Sequence, residues 1–117
     1  MDLDEIQKLA RAAKKPLFID FETDWCVWCK RLDYYTYPDA EVRSWLNKFL
    51  LVKWNSDFDP KNVGQKFGLK GFPYIAIVDG EGKPIHSISG WKKASEFVTE
   101  LKDAHQKWLQ GSRPKQE

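Results

Sequence analysis

Cys26 and Cys29 are the only cysteines in the chain, and they stand in the run Trp25-Cys26-Val27-Trp28-Cys29-Lys30. A C-x-x-C pair can act as a redox dithiol, as half of a metal site or as a structural staple. As a staple it is weak. A ring this short constrains the unfolded chain by about 2 kcal/mol, against roughly 3 kcal/mol for a fifteen-residue loop. As half of a zinc site it lacks a second ligand pair, because structural zinc takes four Cys or His ligands. The two histidines, His86 and His105, are not spaced as such a pair. Redox chemistry is the reading that survives.

That chemistry needs a thiolate, and the neighbouring elements supply the place for one. Pro16-Leu17-Phe18-Ile19-Asp20-Phe21 is apolar, β-branched and aromatic, and predicts a short buried strand holding one acid. Lys30, Arg31 and Leu32 permit a helix after the cysteines. Cys26 is therefore expected where a strand turns into a helix. There the unpaired N–H groups and the helix dipole favour the ionised sulfur. Lowering a thiol pKa from about 8.5 to about 7 is worth roughly 2 kcal/mol and raises the thiolate fraction at neutral pH to about half. Cys26 is the expected nucleophile, exposed at the helix start, and Cys29 closes the ring one turn later.

The segment Asp20-Phe21 through Trp25-Cys26-Val27-Trp28-Cys29-Lys30 resembles the active-site region of thioredoxin-fold oxidoreductases. Lys53 at the end of the strand Phe49–Trp54, the loop Gly71-Phe72-Pro73-Tyr74 and the turn Asp79-Gly80-Glu81-Gly82-Lys83 continue the likeness in order. The stretch from Asp24 to Val42, with Tyr35-Thr36-Tyr37-Pro38-Asp39, is similar to one branch, the carboxy-terminal thioredoxin-like domain of DsbD-type transmembrane disulfide reductases and related single-domain proteins. The likeness runs from about Leu3 to Trp108. It implies a thioredoxin-like α/β fold, with a central mixed sheet of four or five strands and helices on both faces. It also implies thiol–disulfide exchange, most naturally reduction or isomerisation of protein disulfides, with no bound cofactor. The partners would be disulfide-containing proteins and an upstream thiol electron donor. Two features depart from the pattern. Trp28 stands where thioredoxin has proline and protein disulfide isomerases have histidine, which leaves the potential open across about −270 to −120 mV. The helix after the cysteines also lacks thioredoxin's internal proline, and Tyr37-Pro38-Asp39 is expected to begin a second helical piece.

Other site residues carry an ordinary reading beside the functional one. Asp20 is either a solvent-facing acid on an edge strand or, as the resemblance implies, a buried carboxylate moving protons to and from Cys29. Lys53 is either a surface charge or an ammonium that offsets Asp20 or aids the thiolate. Trp25 and Trp28 are either core or an apolar rim for partners. Phe72 and Pro73 form either a plain strand start or, by resemblance, a cis peptide beside the sulfurs where a substrate strand can pair. Two further functions stay open: a binding or chaperone-like module using the Trp-rich surface with idle cysteines, and a metal-binding protein using both cysteines with a histidine.

With 117 residues and a net charge of +2, the chain predicts one domain, residues 1–110, and a polar, frayed tail, 111–117. Lys and Arg are scattered, so no nucleic-acid stripe is expected. No apolar run approaches the length of a membrane span, and a monomer is expected. The acidic start Met1-Asp2-Leu3-Asp4-Glu5 shows no signal-peptide core, and the compartment is left open between cytoplasmic and extracytoplasmic. Periodicity predicts a helix from Leu3 to Ala13 capped by Asp2, another around Val42, Trp45 and Leu46, a short one from Pro60 to Phe67, and a last one along Phe97, Val98, Leu101, Ala104 and Trp108. Phe49-Leu50-Leu51-Val52 reads as a buried strand, and Tyr74–Val78 with Ile85–Ser89 as a hairpin.

Overall fold

A computed structural model describes residues 2–111. The tail expected beyond Gly111 lies outside the described residues. Helix α1 spans Leu3–Ala13, and its Asp2 cap accepts from the Glu5 amide at 2.9 Å, as the sequence pattern requires. Strand β1 is Leu17–Glu22 and β2 is Leu50–Asn55. Helix α2, Val27–Arg31, runs without a break into a π-helical turn, Leu32–Thr36. Helix α3, Ala40–Leu46, starts at Asp39, whose carboxylate accepts from the amides of Glu41 and Val42 at 3.0 Å each. The second helical piece after Pro38 is thus present. Helix α4 is only Val63–Lys66, shorter than predicted. Its start is set by Asp59, which accepts from Val63 and Gly64 at 2.9 Å, so the chain before it is a capping loop and not a helical turn. Strands β3, Tyr74–Val78, and β4, Pro84–Ser89, form the expected hairpin, and α5 runs Ala94–Gly111. Asp79 builds the turn by accepting from the Glu81 and Lys83 amides at 2.9 Å, and Gly82 takes a φ of +87° that a side chain would resist.

The sheet has four strands in the order β2-β1-β3-β4. β1 pairs parallel with β2 and antiparallel with β3, so the sheet is mixed and β1 is central. Alternation along β1 sends its side chains to opposite faces. Leu17, Ile19 and Phe21 join Ile6 and Ala10 of α1 and Val63 of α4 in one core. Phe18 joins Leu32, Val42, Leu46, Phe97 and Leu101 in the other. Helices therefore cover both faces.

One strand expectation needs correcting. β2 is an edge strand and not a buried one. Having a single neighbour, it alternates between inward and outward positions, and Leu51 is 50% exposed.

Candidate active site

Cys26 sits at the cap of α2 with extended backbone, φ −83° and ψ 109°. Its amide bonds the Thr23 carbonyl at 3.3 Å, closing the turn that leads out of β1. Its Sγ accepts the Cys29 amide at 3.0 Å, so the sulfur takes the place a serine or aspartate oxygen occupies in an ordinary cap. Cys26 and Cys29 are disulfide-bonded, with Cα atoms 5.3 Å apart. Neither sulfur residue is exposed: each is only 4% accessible. This corrects the expectation of an exposed Cys26. In the oxidised ring each sulfur is covered by its partner, and Cys26 Sγ also lies against the helix amide.

The aromatic residues occupy the rim. Trp25, Val27 and Trp28 are 66%, 63% and 51% exposed. Trp25 packs edge-on against Phe72, with ring centroids 5.7 Å apart. Trp28 lies beside Trp91 at 6.4 Å. The peptide Phe72-Pro73 is cis, Pro73 is buried, and the Pro73 carbonyl accepts from the Gly90 amide at 2.9 Å. The loop before β3 and the segment after β4 are thereby held together.

Asp20 is 4% accessible on the central strand, on the same face as Phe18 and Leu32. The edge-strand reading is excluded. The Tyr37 hydroxyl donates to its Oδ2 at 2.7 Å, while Oδ1 is buried with no hydrogen-bond partner. Burial pushes the carboxyl up to about 6; the Tyr37 hydrogen bond and the Lys53 charge pull it back, and Glu22 and Asp33 add to the rise. A cavity of about 270 Å³ lies beside it, lined in part by Phe18, Tyr37, Arg43 and Lys53.

Lys53 is the register partner of Asp20 across β1 and β2, but its ammonium turns to other acids. It contacts Asp33 Oδ1 at 2.6 Å and Glu22 Oε1 at 3.6 Å. Burial would lower its pKa, but the Asp33 hydrogen bond and charge win, and it is raised. Its influence on Asp20 is through space and not by contact.

Tyr37 is the residue that sequence reasoning missed as a site member. It reads as part of a chain break before Pro38. The π-helical turn supplies the missing signal: the Tyr37 amide bonds the Leu32 carbonyl at 2.8 Å, five residues back. The extra residue in that turn brings the phenol over Asp20. The phenol's own pKa is held well above the ordinary value by burial and by the Asp20 charge. The histidines lie elsewhere. His86 bonds Glu100 and Lys107, and His105 sits among the rings of Trp45, Phe49 and Trp108. Among the described residues no group of three or more His, Cys, Asp or Glu is placed to hold a metal ion.

A mixed four-stranded sheet with helices on both faces, and a C-x-x-C disulfide at the mouth of a helix that follows its central strand, defines a thioredoxin-like fold. The chain belongs to the thioredoxin-like domain family, whose model matches residues 3–105. It is similar to the thiol:disulfide interchange protein DsbD of Vibrio vulnificus (strain CMCP6), 32% identical over 111 residues that span 86% of this chain and 18% of that protein. The chain thus spans less than a fifth of the length of this relative. Among solved structures, the carboxy-terminal domain of Neisseria meningitidis DsbD in its reduced form superposes with a TM-score of 0.69 and 23% identity, covering 85% of this chain and 90% of that one. A thioredoxin from Thermus thermophilus gives 0.76 and 20% identity, covering 94% and 86%. At these identities the two structures speak for the fold alone.

Proposed function

We propose that this chain is a thiol–disulfide oxidoreductase that reduces disulfides in protein partners. The observation that carries the reading is Cys26 Sγ seated as the cap of α2, where it accepts the Cys29 amide at 3.0 Å. That amide stabilises negative charge on the sulfur, so the reduced Cys26 is favoured as thiolate. The thiolate attacks one sulfur of a partner disulfide, and the other sulfur leaves as a thiolate that takes up a proton. Cys29 gives up its proton and attacks Cys26 Sγ, which releases the second partner thiol. Two electrons pass from the dithiol to the partner, leaving the Cys26–Cys29 disulfide. An upstream thiol donor then reduces it by the same two steps in reverse. No bound cofactor enters.

Asp20 acts in this scheme as the acceptor for the Cys29 proton. With a pKa near 6 it is mostly ionised at neutral pH yet protonates readily, and Oδ1 is free to receive the proton. The neighbouring cavity of about 270 Å³, lined also by Arg43, Leu46 and Val52, has room for water beside Asp20. Trp25, Trp28, Phe72 and Pro73 form the docking rim, Lys53 tunes Asp20 from a distance, and one copy of the chain acts alone.

The test is Cys29→Ser. Mixed with a protein disulfide, this variant should lose turnover and accumulate a mixed disulfide on Cys26, detected by mass spectrometry. A Cys26→Ser, Cys29→Ser protein that still matched the wild type on the same substrate would point to a binding module with idle cysteines. Adduct formation through Cys29 in a Cys26→Ser variant, faster than through Cys26, would reverse the two assignments.

A further inference from the structure

The surface around the disulfide is unevenly charged. On one flank the Arg31 guanidinium lies over the Trp28 ring, 4.9 Å from its centroid, and Trp91 sits alongside. One hydrogen bond ties the segment after β4 to this flank, from the Thr36 hydroxyl to the Lys92 carbonyl at 2.6 Å. The segment brings Lys92 and Lys93 with it. Lys30, Arg31 and Lys93 are exposed and Lys92 is half-buried. None of the four enters an ion pair among the described residues, where the salt bridges involve only Lys53 and His86. Lys53, by contrast, is matched by Asp33 and Glu22. The other aromatic pair near the disulfide is Trp25 against Phe72, with the acid Asp24 next in sequence.

We propose that the Arg31–Trp28–Trp91 flank selects partners whose disulfide is bordered by acidic side chains. The proposal rests on the disulfide reduction argued above and names the kind of substrate it favours. The Arg31 guanidinium, over the Trp28 ring, makes no side-chain hydrogen bond or ion pair among the described residues, so its N–H fork is open to a carboxylate. The contact with the ring also restricts the Arg31 side chain beforehand, so less freedom is lost when the carboxylate arrives. The unpaired lysines around it raise the encounter rate with negative segments and lower it with positive ones. The exposed ring atoms of Trp28 take the apolar part of the same segment.

Three synthetic cystine peptides test this. They share one sequence and differ only in carrying Asp, Asn or Lys two residues to either side of the disulfide. The pre-reduced chain is mixed with each, and second-order rate constants are divided by those for dithiothreitol on the same peptide, which removes the peptide's own reactivity. The expected order is Asp above Asn above Lys, with about a tenfold spread between the extremes at low ionic strength. The spread should collapse in 1 M salt, where the screening length falls to about 3 Å. It should also shrink toward one in an Arg31→Gln, Lys92→Gln variant at low salt. Equal constants, an advantage for the Lys peptide, or an undiminished spread in that variant each overturn the proposal. Reduction of the Asn peptide separates the two claims. If that peptide is reduced, the oxidoreductase reading stands and the spread alone judges the acidic preference. If the pre-reduced chain reduces none of the three, both claims fall.

Discussion

Two polar clusters bridge the sheet and a helical layer, and they are built to opposite specifications. At β4 and α5, His86 Nε2 meets Glu100 at 2.6 Å and His86 Nδ1 meets the Lys107 ammonium at 2.9 Å. The ammonium can only donate, so Nδ1 accepts and Nε2 is left to donate to Glu100. Both ring nitrogens are used, and the acid and the ammonium remain partly in water. At β1, the Tyr37 phenol meets Asp20 at 2.7 Å, but the second carboxylate oxygen is buried without a partner and the pKa is raised to about 6. An unmade hydrogen bond to a buried group costs about 1–3 kcal/mol, and at Asp20 that cost falls on a carboxylate on a central strand. The closed cluster fastens a helix to an edge strand. The open one leaves a buried carboxyl with a raised pKa on the strand that leads directly into the dithiol, as the proposed proton acceptor would require.

The sharpest way to break this contrast is Asp20→Asn. If Asp20 receives the Cys29 proton, its loss should slow exchange at neutral pH by about a hundredfold, the lower end of what a positioned acid–base group supplies. Stability should move the other way. A carboxyl raised from 3.8 to about 6 favours the folded state fully only below about pH 4, and that contribution is lost as pH rises through 6. At pH 8 the asparagine variant should therefore unfold later, by about 2–3 kcal/mol for a shift of this size, and the gain should vanish near pH 3.5. Urea titrations at the two pH values check the sign. A destabilised variant with wild-type exchange rates would refute both halves.

Trp28→Ala separates docking from proton transfer. The ring is half-exposed and rests on Trp91 and Arg31, while Phe97, fully buried beside Phe18 and Tyr37, is core. Removing Trp28 should raise the Michaelis constant for a protein disulfide about tenfold, an ordinary loss for an aromatic contact residue. The unfolding midpoint should move little. Phe97→Ala should instead lose about 3–5 kcal/mol of stability. A large drop in the midpoint for Trp28→Ala with unchanged substrate kinetics would place that ring in the core.

Much of the frame was legible in the sequence because its signals are local. Asp2 and Glu5 announce the first helix, the alternation across the Asp79–Lys83 turn announces the hairpin, and Cys26 stands at a strand–helix junction that both neighbours predict. What could not be read depends on tertiary placement. Leu50–Val52 looks buried by composition, but strand order puts β2 at the edge. Lys53 is level with Asp20 in the register, yet its flexible stem carries the ammonium to Asp33. The burial of Cys26 depends on how the start of α2 packs in the folded chain, which the sequence does not display. Tyr37 was hidden because a π-helical turn has no composition of its own, and without it the phenol would point elsewhere.

Tyr37→Phe sharpens the contrast without removing the acid. The hydrogen bond at 2.7 Å favours the ionised form of Asp20, so its loss should carry the carboxyl above 6. The rise of exchange rate with pH should then shift to higher pH, with a few-fold loss near pH 7 that fades by pH 9. A uniform loss at every pH would mean that Tyr37 serves packing alone.

The smallest effect should come from His86→Gln, and its smallness is the point. Glutamine retains one donor and one acceptor on a side chain of similar reach, so it can keep part of the link between Glu100 and Lys107. The histidine side chain is 11% accessible and the glutamate 29%, so the lost contact is partly screened. A stability loss of about 1 kcal/mol is expected, the usual worth of one hydrogen bond. Exchange rates and their pH profile should match the wild type, because the cluster links β4 to α5 and hydrogen-bonds neither Asp20 nor the cysteines. If His86→Gln instead altered the pH profile as Asp20→Asn does, the difference between a closed polar cluster and an open one would lose its functional meaning. The orphaned oxygen of Asp20 would then be a packing accident on a central strand.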